Sequence, residues 1–167
     1  GHQTPPNNLV VVATMSTSTA SSVSTVSDYQ LEMESHAPSH LFLHALELLQ
    51  QGDYNRLHRF LNAERRSLNL DETDGNFWTL VLHAAWHGSM KCMQSLVEYG
   101  ARVDYVDSHQ NTALHVAYQQ KHASVAAYLI LNGASEQHRN RSGRVPREMT
   151  PGDKFKVGTL RVWFLIN

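Results

Sequence analysis

Histidine is the residue whose abundance first invites chemistry, with eleven in 167 residues against five phenylalanines. His83 and His87 are four apart, the spacing that sets two imidazoles on one helical face, as in zinc-binding pairs. A third ligand is needed, and Cys92 and the nearest acids fall on other elements. His115 and His122 offer a similar acid–base or ligand reading. All four equally suit a structural role, in which ring nitrogens satisfy backbone groups. The arrangements that accompany catalysis are missing from the sequence. It has no Gly-x-Ser-x-Gly elbow, no glycine-rich phosphate loop and no paired-cysteine metal spacing. Cys92 lies on the apolar side of a predicted helix and reads as a small core residue. The expectation is therefore no catalytic residue, no cofactor and no metal. An enzyme reading would require a metal at His83 and His87.

Composition narrows the class further. Net charge is -1, so no overall field points to nucleic acid or an anionic membrane. Apolar residues are 41% and charged residues 17%, ordinary for a soluble domain. A single cysteine cannot close an internal disulfide, which fits a reducing compartment. The longest apolar stretches, 9–13 and 162–166, are too short to span a bilayer. The first also lacks the basic flank of a signal peptide. These features predict a soluble intracellular protein, cytoplasmic or nuclear.

The elements that would position any site begin near residue 39. Before it, residues 16–27 read STSTASSVSTVS, too poor in apolar surface to offset the entropy of ordering. Residues 1–38 are expected to be disordered, and Met15 is the expected natural start. From residue 41 the spacing turns helical. Leu43, Leu46 and Leu49 make one apolar stripe, and Leu57, Phe60 and Leu61 a second. Gly52-Asp53 between them predicts a tight turn, hence a helix-turn-helix pair.

Two further units repeat each other. Residues 79–101 read TLVLHAAWHGSMKCMQSLVEYGA and residues 112–134 read TALHVAYQQKHASVAAYLILNGA. Thr79 aligns with Thr112, Ala84 with Ala117, Leu96 with Leu129 and Gly100-Ala101 with Gly133-Ala134, always at an offset of 33. One more step reaches Val145-Pro146, with Gly143 just before. A fixed period of this length, with a turn and two short helices, marks a stacked repeat.

On these residues the chain resembles the ankyrin repeat family. Asn111-Thr112-Ala113-Leu114-His115-Val116-Ala117 follows the family's core motif, with Gln110 in its usual Gly slot. Residues 100–104 (GARVD) follow its repeat end, and residues 140–146 open a further repeat. The resemblance spans roughly residues 40–149. It implies an all-α ankyrin-repeat solenoid of about three and a half repeats over 39–149, and a tail at 150–167. Leu80, Leu82, Met93, Leu96, Val97, Leu114, Val125, Leu129 and Ile130 would fill the core. Ala84-Ala85 and Ala126-Ala127 would allow close helix approach, and Gly100 and Gly133 would take left-handed helix ends. Three departures stand out. Two extra residues between Gly75 and Thr79 predict an enlarged turn, Leu82 sits in the His slot with His83 beside it, and Pro151 should break the last repeat.

The family resemblance also implies function, namely binding another protein as an adaptor or regulatory subunit. By position, the turn tips are Thr73, Asn76, Phe77 and Trp78, then Ser108, His109 and Asn111. The variable first-helix positions are Trp86 and His87, then Gln119 and Gln120. Trp78 and Trp86 would act as aromatic anchors; alternatively Phe77 and Trp78 fold back over the first repeat. Arg139, Arg141, Arg144 and Arg147 form a basic run that suits a solvated face or an acidic partner. Residues 156–166 (KVGTLRVWFLI) read as a strand. Within it, Arg161-Val162-Trp163-Phe164 resembles the basic-Val-x-Phe docking motif of protein phosphatase 1 regulators, some of which carry ankyrin repeats. Such a peptide adds a strand to a sheet edge and seats Val162 and Phe164 in pockets. The alternatives are a tail that packs over the last repeat or forms a hairpin, and a non-native or alternatively spliced end. The partner would then be a phosphatase or a protein kinase, the kinase by analogy with small ankyrin inhibitors.

Overall fold

The computed structural model describes residues 37–150. The Ser/Thr-rich segment, Pro151 and the apolar tail with Val162 and Phe164 lie outside the described residues. Six α-helices pair off in chain order: α1 (His40–Gln50) with α2 (Tyr54–Ala63), α3 (Leu80–His87) with α4 (Met90–Glu98), and α5 (Ala113–Gln119) with α6 (Ala123–Leu131). A 3-10 turn, Pro146–Met149, takes the place of a seventh helix. Among the described residues the only β pairing is one bridge between Val106 and Thr112.

Several helix ends have local causes. Ser39 caps α1 by accepting the Phe42 N–H, and its own hydroxyl donates to Glu72 at 2.7 Å. Asp53 caps α2 through the Arg56 N–H. Gly100 and Gly133 carry φ of 95° and 91° after α4 and α6. Their neighbours Ala101 and Ala134 return N–H bonds of 2.9 Å to Leu96 and Leu129, so the helix-end carbonyls are satisfied. Pro146 opens the 3-10 turn, where its missing N–H is harmless.

Stacking follows from the short helices, none of which can bury an apolar face alone. α1, α3, α5 and the 3-10 turn pack side by side in one layer, and α2, α4 and α6 in the other. Ala84, Ala85, Ala126 and Ala127 are fully buried, so the layers approach closely. Leu80, Leu82, Cys92, Met93, Leu96, Leu114, Val125 and Leu129 fill one continuous core. Two core expectations need correction. Leu43 is 43% exposed, and Phe42, Ala45 and Leu48 face inward beside Leu46 and Leu49. The reason is that α1 packs on both α2 and α3, so it needs a wider stripe than one row of leucines. Val97 is only half-buried, packed against the edge of the core.

Candidate functional site

Three turns project from the stack, and one backbone plan builds all of them. In the first, Asp74 Oδ1 accepts the N–H groups of Asn76 and Trp78 at 2.8 and 2.9 Å. The Asp74 N–H donates to the Trp78 carbonyl, and the Phe77 N–H donates to that of Asp74, both at 3.0 Å. Asp107 treats His109 and Asn111 the same way, each at 2.8 Å. Asn140 treats Ser142 and Arg144 the same way, each at 3.0 Å. A positive φ falls at Phe77 (62°), Gln110 (62°) and Gly143 (75°). All of these positions repeat at the offset of 33.

The turn between Gly75 and Thr79 is therefore not enlarged. Phe77 occupies the slot held by Gln110 and Gly143, and Gly75 matches Ser108 and Arg141. The register is set by the Asx carboxylate or amide, which gathers two amides onto one oxygen. Glycine is not what sets it.

The displaced histidine finds a different use. His83 Nε2–H donates to Asp74 Oδ2 at 3.0 Å, with both side chains nearly buried. Burial pushes the Asp74 carboxyl up, yet the hydrogen bonds from His83, Trp78 and Asn76 outweigh it and hold it below the usual range. In the next turn Asn111 does this work, donating to Asp107 Oδ2 at 3.2 Å. Asn111 Oδ1 then accepts Asn140 Nδ2 at 2.9 Å, which ties the second turn to the third. The Arg141 N–H adds a bond to the His109 carbonyl at 2.9 Å. The second and third tips are thus tied together by hydrogen bonds, while the bonds of the first stay within its own repeat.

Histidines join neighbouring repeats elsewhere. His122 Nε2 donates to the Trp86 carbonyl at 3.0 Å, and His58 Nδ1 lies 3.2 Å from Ser95 Oγ. With His83 committed to Asp74 and His87 exposed, that pair does not converge on a common point. No group of three or more metal-ligating side chains occurs among the described residues.

The expected partner-facing residues divide sharply. Phe77 is 56% exposed, whereas Trp78 is 9% exposed. The Trp78 ring stands edge-to-face to Trp86 at 5.7 Å and to His83 at 5.2 Å. Trp78 is thus a wall of the core under its turn, a correction to its reading as an exposed anchor. The turn geometry explains the split, because Phe77 is the positive-φ residue and points away while Trp78 re-enters the stack. Trp86 is half-buried over Trp78, and His87 is exposed at the end of α3. Ser108 and His109 are exposed at the second tip, while Asn111 is buried beneath it. Gln119 and Gln120 are half-buried at the end of α5. Val162 and Phe164 lie outside the described residues. Sequence reasoning passed over Gln110 and Ser142, both exposed on the same row. The 33-residue step from Phe77 and His109 would have found them.

A fold of helix pairs stacked at this period defines a repeat-type binding scaffold, and the family profile of ankyrin repeats matches three copies over residues 42–140. The chain belongs to the ankyrin repeat family. It is also 32% identical over 109 residues to Protein phosphatase 1 regulatory subunit 27 of Mus musculus, covering 65% of this chain and 69% of that one. It is 31% identical over 109 residues, with the same coverage, to Protein phosphatase 1 regulatory subunit 27 of Homo sapiens. Among the described residues no helix is long and apolar enough to cross a membrane.

Proposed function

We propose that this chain is a non-enzymatic regulatory subunit of protein phosphatase 1, in which the tail engages the catalytic subunit and the ankyrin tips engage a second protein. The similarity to two proteins named as regulatory subunits of that phosphatase carries the reading. The Arg161-Val162-Trp163-Phe164 sequence supports it independently. A strand-adding peptide gains affinity from main-chain hydrogen bonds and specificity from alternate side chains, here Val162 and Phe164. The relatives' names favour a phosphatase over a kinase. The test is direct binding of the full chain to purified phosphatase catalytic subunit. Val162→Ala with Phe164→Ala is expected to weaken binding at least tenfold. Absence of binding, or binding indifferent to the double substitution, rejects the reading.

An adaptor that works without the phosphatase is the second reading, favoured by the exposed row of turn tips. It predicts a partner that the tail double variant retains.

A further inference from the structure

Phe77 combines two unfavourable features that a purely structural residue would avoid. Its backbone holds φ at 62°, a region where a bulky side chain is an outlier. Its ring is 56% exposed although apolar. The equivalent third turn uses Gly143, which takes the same conformation without strain. The second turn also holds a non-glycine residue, Gln110, at φ 62°, so it is the exposed apolar ring in a strained position that sets Phe77 apart. Two repeats away, the third tip carries Arg139, Arg141, Arg144 and Arg147, all exposed. The backbone of Arg141 and Arg144 is pinned by the His109 carbonyl, by Asn140 and by His115, which donates to the Arg144 carbonyl. Arg139 Nη1 closes its own turn on the Gly143 carbonyl at 2.6 Å. Each turn is fixed by its own Asx hydrogen bonds, and the stack sets an aromatic at one end of the row and guanidinium groups at the other, a layout suited to one extended ligand.

Building on the reading that the tips bind a protein, we propose that they take an extended acidic segment of the partner. One large apolar side chain packs on Phe77, and acidic residues pair with Arg141 and Arg144. The spacing follows from the stack. Neighbouring helices pack about 10 Å apart, so the two ends of the row lie roughly 20 Å apart. An extended chain covers that distance in about six residues at ~3.3 Å each. Carboxylates match the planar guanidinium fork in pairs. Nucleic acid fits less well. Only one end of the row is basic, Glu136 and Glu148 flank the arginines, and no aromatic lies between them for base stacking.

The probe is a random 12-residue peptide library displayed on phage and selected on the full chain. Enriched peptides should place an aromatic or large aliphatic residue about six positions from an Asp/Glu pair. For one synthesised representative, Phe77→Gly should weaken binding at least tenfold while the melting temperature stays level or rises. Arg141→Ala with Arg144→Ala should weaken it tenfold and flatten its salt dependence. The Val162→Ala and Phe164→Ala variant should bind the peptide normally, so failure of phosphatase docking leaves this result intact. The proposal is overturned by no enrichment, by basic or unspaced peptides, by peptides that Phe77→Gly still binds, or by displacement with RNA of equal charge.

Discussion

His115 Nε2–H donates to the carbonyl oxygen of Arg144, 29 residues further along the chain, at 3.1 Å. Its other nitrogen, Nδ1, accepts the Thr112 N–H at 3.2 Å and lies 2.9 Å from Thr112 Oγ1. One neutral ring therefore starts α5 and holds the last turn onto the stack. Both bonds require the neutral tautomer with its proton on Nε2.

A pH dependence follows from that ring. Burial pushes the His115 pKa down, more than its bond to the Arg144 carbonyl raises it. A histidine lowered on folding contributes stability that is complete above its unfolded value of about 6.5 and is lost as pH falls below it. Urea midpoints should therefore decline from pH 7.5 to pH 5. In His115→Gln the protein should be weaker at pH 7.5 and its decline shallower. Parallel profiles would show that another group controls this window.

Gly88 and His122 form a second test. Gly88 sits at φ 68°, and a Cβ there would come within 2.5 Å of the His122 ring. That ring is held by the Trp86 carbonyl. Gly88→Ala should cost about 2 kcal/mol or more, from backbone strain and a broken buried hydrogen bond. In a double-mutant cycle, His122→Ala should recover part of the steric cost. Simple additivity would count against the contact.

Trp78 should behave as a core residue. Trp78→Ala is expected to destabilise by about 3–5 kcal/mol in urea unfolding, the range for a buried large aromatic. Trp86, whose ring loses its edge-to-face neighbour, should show a red-shifted emission. A loss below about 1 kcal/mol would return Trp78 to the surface.

Phe77 should show the opposite sign. Left-handed backbone costs a non-glycine residue about 1–2 kcal/mol, and glycine's extra chain entropy offsets about 0.5–1 kcal/mol of the relief. Phe77→Gly is therefore expected to stabilise by roughly 0.5 kcal/mol, seen as a higher urea midpoint. Destabilisation by more than about 1 kcal/mol would mean that the ring packs on the fold.

The sequence by itself determined the repeat. The 33-residue offset, the alanine pairs and the helix-ending glycines carry the fold, because short helices and left-handed ends are set by local chemistry. Cys92 could be assigned to the core from helical spacing, and Leu96 and Leu129 from the repeat resemblance. The sequence also marked the tip columns, since the period maps each turn onto the next. Tertiary structure alone decided which tip residues face outward. Phe77 and Trp78 are adjacent aromatics with the same claim to exposure, and the Asp74-centred turn sends one to solvent and the other into the stack. It also decided what His83 does. With Leu82 in the usual slot, only folding brings the ring beside Asp74, nine positions back. Side-chain direction in a turn depends on backbone dihedrals that a hydrogen-bond network fixes, and composition and spacing do not encode that network one residue at a time.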